Sequence, residues 1–379
     1  MNILMISRGM PTSHNPQWGN FEKKQALALK QQGHNVITMS IDHRISNKKW
    51  IGYNVVEDDG IMFYTLNVPP FIHERTILAI PVLRKLGLML FRRILKDGHE
   101  IDLIYSHYLP NSLLALDIKK KYNLPLVAIE HWSKLTYPQL PLYVKIMGQM
   151  VYKKADRVIA VSKSLKNCLF KHFNVESVVV NNMVNSENDN SSVKQKIELI
   201  KLVSVGSLIK RKGYDTLIKA FALYHKDNPK VELTIVGNGV ELNNLSELTN
   251  KLGIKEAVHF VGRKNSKEIS EILSDSDAFV LTSRCETFGV VYIEAMSHGL
   301  PVIGTICGGP EEFITLDNGI LVKPDDVAAT YDAIKELANN FNNYDRFKIA
   351  SECKHKFSPE VISKQLCDCF ESVVNKNRG

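Results

Sequence analysis

Residues Ala278–Ile314, AFVLTSRCETFGVVYIEAMSHGLPVIGTICGGPEEFI, alternate short apolar runs with glycine-rich turns and carry two glutamates, Glu286 and Glu294. The run 278–281 ends at Thr282 and Ser283, as a buried parallel strand does where it opens into a loop at its carboxyl end. Ligands of α/β sheets bind at that edge. Glu286 lies in the loop, and Phe288-Gly289 leads into VVYIEAMSHG, a segment of helical length closed by Gly299 and Pro301. Val290, Val291, Tyr292, Ile293, Ala295 and Met296 surround Glu294 with apolar side chains, which predicts a buried helix whose carboxylate needs a hydrogen-bonding partner. Helical side chains lean toward the N-terminus, bringing Glu294 toward the loop of Glu286. After a strand at 300–304, the turn Cys307-Gly308-Gly309-Pro310-Glu311 predicts a second helix start. Two free helix N-termini at one strand edge suit phosphate. For either glutamate alone, a buried structural role is the simpler reading.

At 379 residues the chain exceeds what one core normally supports, so two domains are expected. Hydrophobic content of 44% and charged content of 23% are those of a soluble globular enzyme. The net charge of +8 is unevenly placed, since residues 1–190 hold 24 Lys and Arg against 15 Asp and Glu, and the remainder 24 against 25. One half therefore faces anionic partners such as a membrane surface, nucleic acid or a phosphorylated acceptor. The six cysteines show neither metal-ligand spacing nor a disulfide framework, and Cys367 and Cys369 fall in a helical pattern where alternate residues do not face each other. Met1-Asn2 runs straight into an apolar strand, and no run reaches the ~20 residues of a membrane span. The cytoplasm is the expected location.

Residues 2–7, a loop, the helix-forming FEKKQALALKQQG and the strand after it make a βαβ opening. It lacks GxGxxG, which disfavours a nicotinamide enzyme. Two further strands, 101–106 and 126–129, are each followed by a histidine, His107 and His131, at carboxyl ends where such a sheet keeps its site. The segment 75–96 sets Arg84, Lys85, Arg92, Arg93 and Lys96 among apolar residues. It reads either as a covering helix with a solvated basic edge or as an interfacial membrane contact. The polar, aperiodic stretch 181–196 reads as a linker.

Taken together, Glu286, seven intervening residues and Glu294, with Phe288-Gly289 between and Gly299-Leu300-Pro301-Val302 then Gly308-Gly309-x-x-Glu312 following, closely resemble the donor-site signature of family 4 retaining glycosyltransferases. The resemblance covers nearly the whole chain. It implies the GT-B fold, an α/β architecture of two facing Rossmann-like domains, here 1–185 and 196–356, with a final helix at 357–379 crossing back to the first. It also implies sugar transfer from a nucleotide diphosphate sugar, with retention, to a hydroxyl of a glycan or lipid-linked acceptor in cell-surface polysaccharide synthesis. By resemblance Glu294 binds the ribose hydroxyls, while Glu286 and the amides of Phe288, Gly289 and Val290 hold the donor sugar and diphosphate. The family motif Gly-Arg-Leu, three residues, Lys-Gly falls on Gly206, Leu208, Lys212 and Gly213, but Ser207 replaces its arginine. Lys212 would stabilise the departing diphosphate, with Arg211 or Lys210 standing in for that arginine. His131 matches the family's donor-site histidine better than His107. Gly19-Asn20 matches its first loop with Asn20 in place of a second glycine, where Asn is equally a plain helix cap. No Asp-x-Asp stands in a metal position, so no cofactor or metal is expected, nor nucleic acid as a partner, while an anionic membrane surface is. The alternatives are a nucleotide-sugar epimerase of the same architecture and a catalytically silent transferase partner.

Overall fold

A computed structural model describes residues 1–11, 18–43, 52–69, 79–184 and 199–378. The chain divides into two compact units, Met1–Asn181 with Pro359–Gly379, and Asn182–Ser358. Most of the linker stretch, and Arg75 of the basic segment, lie outside the described residues.

Unit 1 is built on an eight-stranded sheet in the order β3-β4-β2-β1-β5-β6-β7-β8. Its strands are β1 (Asn2–Ile6), β2 (Asn35–Asp42), β3 (Gly52–Asp58), β4 (Ile61–Asn67), β5 (Leu103–His107), β6 (Leu126–Glu130), β7 (Arg157–Ala160) and β8 (Val178–Val179). All neighbours pair in parallel except β3 with β4. That hairpin turns at Asp59-Gly60, both with positive φ (53° and 69°). The Asp-Gly dipeptide is a strong local hairpin signal, since both turn positions favour residues that tolerate left-handed backbone. The central strands β5 and β6 are buried at every residue, as parallel strands covered on both faces must be. Helices α1 (Asn20–Gln31), α2 (Ile80–Lys96), α3 (Leu109–Tyr122), α4 (Leu142–Val151) and α5 (Lys163–Phe173) connect them.

The C-terminal residues fold with this unit. Along α12 (Pro359–Arg378), Phe370 is wholly buried, 4.9 Å from the Tyr105 ring, and Cys367 Sγ lies 3.0 Å from His34 Nε2. Cys367 is thus a packing contact between α12 and the turn that follows α1, and all six thiols are free.

Unit 2 carries a fully parallel six-stranded sheet, β11-β10-β9-β12-β13-β14. These strands are β9 (Ile200–Val205), β10 (Val231–Val236), β11 (Val258–Gly262), β12 (Ala278–Val280), β13 (Val302–Thr305) and β14 (Gly319–Val322). Between them run α6 (Tyr214–Asp227), α7 (Leu242–Lys251), α8 (Ser266–Asp275), α9 (Val290–Ser297) and α10 (Val327–Asn339), with α11 (Arg346–Phe357) closing the unit. Strands β9 and β12 are adjacent at the sheet centre, so the loops after them share one edge. Gly213 sets the closest backbone approach between those loops. Gly213 has φ 66°, and a Cβ there would stand 1.9 Å from the Thr282 carbonyl oxygen, while the Thr282 hydroxyl donates to the Gly213 carbonyl at 2.7 Å. Gly213→Ala therefore meets both left-handed strain and a clash, at about 1–3 kcal/mol or more. A thermal melt should show unit 2 losing several degrees; an unchanged midpoint would contradict the close approach.

Candidate functional site

The centre of the unit 2 edge is Glu286. Its carboxylate is 6% exposed and takes three cationic or hydroxyl partners from two loops. Lys212 Nζ lies 2.5 Å from Oε1, Ser283 Oγ donates to the same oxygen at 2.8 Å, and Arg211 Nη1 stands 3.8 Å from Oε2. Arg211 Nη1 also donates to the Cys285 carbonyl at 2.9 Å. Of the residues able to replace the family arginine, Arg211 is thus the one whose guanidinium faces the site. Burial alone would push the Glu286 carboxyl up, but Lys212 above all outweighs it and holds the group below its ordinary value. Lys212 reaches the carboxylate because the turn 210–212 ends at Gly213, which presses on Thr282.

Ser283, which no motif marks, completes the cradle: the Thr305 hydroxyl donates to its carbonyl at 2.5 Å, tying the loop to β13. Arg284 braces the outside, donating to Asp215 at 2.8 Å and Asp325 at 2.7 Å. Asp326 caps α10 by accepting from the Ala329 amide at 2.9 Å. Both late-loop acids therefore have structural duties. Among the described residues no group of three His, Cys, Asp or Glu side chains is gathered as metal ligands would be. Burial pushes the neighbouring Cys307 thiol up to about 12, so it offers no thiolate.

Two expectations for this region are corrected. Glu294 is half-buried, as are Val290 and Val291, whereas Tyr292, Ile293, Ala295 and Met296 are buried. An eight-residue helix at a sheet edge covers the core with one side only, so the buried carboxylate is that of Glu286. The turn at 307–311 opens no α-helix but a single 3-10 turn, Pro310–Glu312. Its Gly308 amide donates to both carboxylate oxygens of Glu311, at 2.9 and 3.0 Å. The carboxylate already fills the anion position that a bare turn would offer. The N-terminus of α9 is different, for Gly289 at φ 100° starts it with no side-chain cap. Gly289 thus supplies no side chain to cap the amides of that first turn. Phe288 is buried against Phe313 and Phe357 at 5.1 and 5.7 Å, which fixes that loop.

Unit 1 gathers a second group at the carboxyl ends of β1, β5 and β6. His107 is not a loop residue but the last residue of β5, wholly buried, with burial and then the Arg8 charge pushing its imidazole down to about 3. His131 is half-buried and stacks above it, ring centroids 5.4 Å apart and planes 6° from parallel. The edge of Phe21 holds His131 at 5.0 Å. The start of α1 brings Phe21 there, since Gly19, at φ 72°, would drive any Cβ to 2.0 Å from the Gly9 carbonyl oxygen. Asn20 is the first residue of α1, and Gly19 its cap. Burial pushes Glu130, the end of β6, up to about 8, so it is uncharged at neutral pH. Arg8 was invisible to motif reading, its one signal being the end of the first strand. It donates to buried Glu22 at 2.7 and 3.1 Å and lies 4.5 Å from the Tyr108 ring.

The model for glycosyl transferases group 1 matches residues 185–352, and that for glycosyltransferase family 4 matches residues 24–188. An uncharacterized glycosyltransferase of Haemophilus influenzae is 28% identical over 342 residues, covering 86% of this chain and 89% of its own. Among solved structures, sucrose-phosphate synthase from Thermosynechococcus elongatus superposes with a TM-score of 0.80 at 20% identity, covering 99% of this chain and all of its own. Anabaena HepE in complex with UDP and glucose gives 0.75 at 18%, covering 98% of this chain and 100% of that one. These likenesses show the GT-B fold.

Because its folded value is lowered, Glu286 contributes stability that is present above its ordinary value of 4.5 and lost as pH falls through the folded value. Glu286→Gln should therefore melt well below wild type at pH 7, with the deficit shrinking toward pH 3. Equal deficits at both pH values would contradict the ion pair.

Proposed function

Since the chain belongs to the glycosyl transferases of group 1 and family 4, we propose that it moves a sugar with retention from a nucleotide diphosphate sugar to a hydroxyl of a glycan or lipid-linked acceptor. The observation that carries this reading is the Lys212–Glu286–Arg211 cluster beside the uncapped start of α9. In the reaction the bond from the sugar's C1 to the diphosphate oxygen breaks, the acceptor oxygen bonds to C1 on the same face, and the acceptor proton passes to the departing diphosphate. Charge grows on that diphosphate as the bond breaks. Lys212 has three N–H donors, of which Glu286 needs one, so the others are available to the leaving group. The guanidinium of Arg211 and the amides near Val290 supply further fixed positive charge. Electrostatic stabilisation of this kind needs no metal from the chain.

Glu294, half-exposed on α9, is the proposed ribose ligand, and His131 the proposed donor-sugar contact of unit 1. The neighbour HepE, solved with UDP and glucose, supports a nucleotide-sugar donor. A screen of UDP-, GDP- and ADP-sugars by nucleotide release tests the reading and identifies the base. With the donor found, Lys212→Ala should lower kcat by roughly 10²–10³ with little change in donor KM, because the contact strengthens in the transition state. An unchanged kcat with a raised KM would instead make Lys212 a binding residue.

A cell-surface product places the acceptor at a membrane, and α2 offers a surface for it. Among the described residues no helix is long and apolar enough to cross a membrane. On α2, Leu83, Leu90, Phe91 and Ile94 face the core, while Val82 and Met89 are 45% and 42% exposed alongside exposed Lys85, Arg92 and Lys96. Positions 82, 85, 89, 92 and 96 form one helical stripe. Arg84 is excluded from it by its ion pair with Asp117, and Arg93 donates to Asp97 at 3.1 Å. Binding to anionic vesicles should weaken with salt and with Lys85, Arg92 and Lys96→Glu. Equal sedimentation with neutral and anionic vesicles would remove the membrane from the proposal.

A further inference from the structure

Unit 1 holds a cation that the donor site does not use. Arg8 has five N–H donors, of which Nε and Nη2 engage Glu22, whose side chain is 1% exposed. The Arg8 side chain keeps 31% exposure. Rings bracket the guanidinium, with Tyr108 at 4.5 Å and Trp18 at 5.3 Å, and Trp18 Nε1 donates to the Arg8 carbonyl at 2.9 Å. A guanidinium fixed by a carboxylate behind it and by aromatic faces is in the form that recognises phosphate or carboxylate, because its fork is aimed before the ligand arrives.

A plain salt bridge between the end of β1 and α1 is the simpler account, and it explains Glu22. It does not explain Tyr108. Of the five non-glycine residues with positive φ among those described, Asp59, Asn123, Asn174 and Asp325 are types that tolerate it, and the fifth is Tyr108. Its φ of 66° with ψ 141° is a combination that bulky residues avoid. The surroundings impose it: the Tyr108 amide donates to the Ile129 carbonyl at 3.0 Å, and its own carbonyl accepts from the Asn111 and Ser112 amides, both at 3.1 Å. An ion pair needs no ring beneath it. The strained backbone sets the Tyr108 ring against Arg8 and, 5.1 Å away, against His131. Strain of this kind survives where a side chain must be aimed.

We propose that Arg8 binds an anionic group of the acceptor, a phosphate, and that Tyr108 is the positioning residue that aims it. The assignment rests on the transferase reading above, for it names the chemical class of that enzyme's acceptor. The phosphate can belong to a soluble sugar phosphate or to a lipid carrier, and the two are separable by experiment.

Calorimetric titration of the full chain with glucose 6-phosphate and with farnesyl phosphate, against glucose and farnesol, tests it. At least one phosphate should bind where its neutral counterpart does not, and which one identifies the source. Binding should survive Lys212→Ala, which excludes the donor site. Arg8→Gln with Glu22→Gln keeps a hydrogen-bonded pair without leaving a buried lone carboxylate, and should weaken binding at least tenfold. Tyr108→Gly, which relieves the backbone, should hold or raise the melting temperature yet weaken binding at least threefold, while Tyr108→Phe should match wild type. Failure of both phosphates to bind, or unchanged affinity in the double variant, would overturn the subsite. Transfer is scored separately. A protein that binds phosphate through Arg8 but transfers no sugar from any nucleotide sugar refutes the transferase reading and leaves an anion site standing.

Discussion

A carboxylate buried to 6% exposure cannot remain ionised without compensation, and the structure around Glu286 is arranged to provide it. Lys212 supplies the counter-charge, and Ser283 satisfies the same oxygen. Ser283 is local, three residues before Glu286, but Lys212 is 74 residues away. The adjacency of β9 and β12 brings the two loops together, and the contact of Gly213 with Thr282 sets their spacing. Breaking one half of such a pair typically costs about 3–5 kcal/mol, since the other charge is left buried. Stability and site are thus coupled: the loops that hold the charges are the loops proposed to hold a diphosphate.

That coupling explains why the positive groups stay available. Lys212 is only 12% exposed as a side chain, so its ammonium is held in a small region with donors to spare. Arg211 does not compete for the same carboxylate oxygen, standing 3.8 Å from the other one while bonded to a carbonyl. The 307–311 turn resolves its own amide need with Glu311, whereas α9 starts at Gly289 without a capping side chain.

Unit 1 solves a different problem with similar means. Its central strands end in polar residues that burial would penalise, and it neutralises them: His107 and Glu130 are both uncharged at neutral pH, pushed in opposite directions by the same desolvation. The Arg8–Glu22 pair carries charge near this edge. Aromatic side chains, Phe21 and Tyr108, separate that pair from the histidine stack and fix His131 from two sides.

Local rules were sufficient for much of this protein. Buried runs such as 126–130 read as parallel strands because both faces are covered, and Gly299, followed by Pro301, ended α9 within two residues. Glu286, Lys212 and His131 were legible because motif spacing encodes which strand end a residue follows. The Asp59-Gly60 hairpin signal is equally local. Tertiary structure alone decided the rest. Which basic residue of 210–212 faces the carboxylate depends on the course of a three-residue turn, and the solvent exposure of Glu294 depends on how much of a short helix the core covers. The roles of Ser283, Arg284 and Arg8 arise from partners in other loops or on another element. The left-handed backbone of Tyr108 arises from hydrogen bonds that residues 111, 112 and 129 impose on it. Pattern reports what a residue must do along its own strand or helix; only packing determines which distant charge it meets.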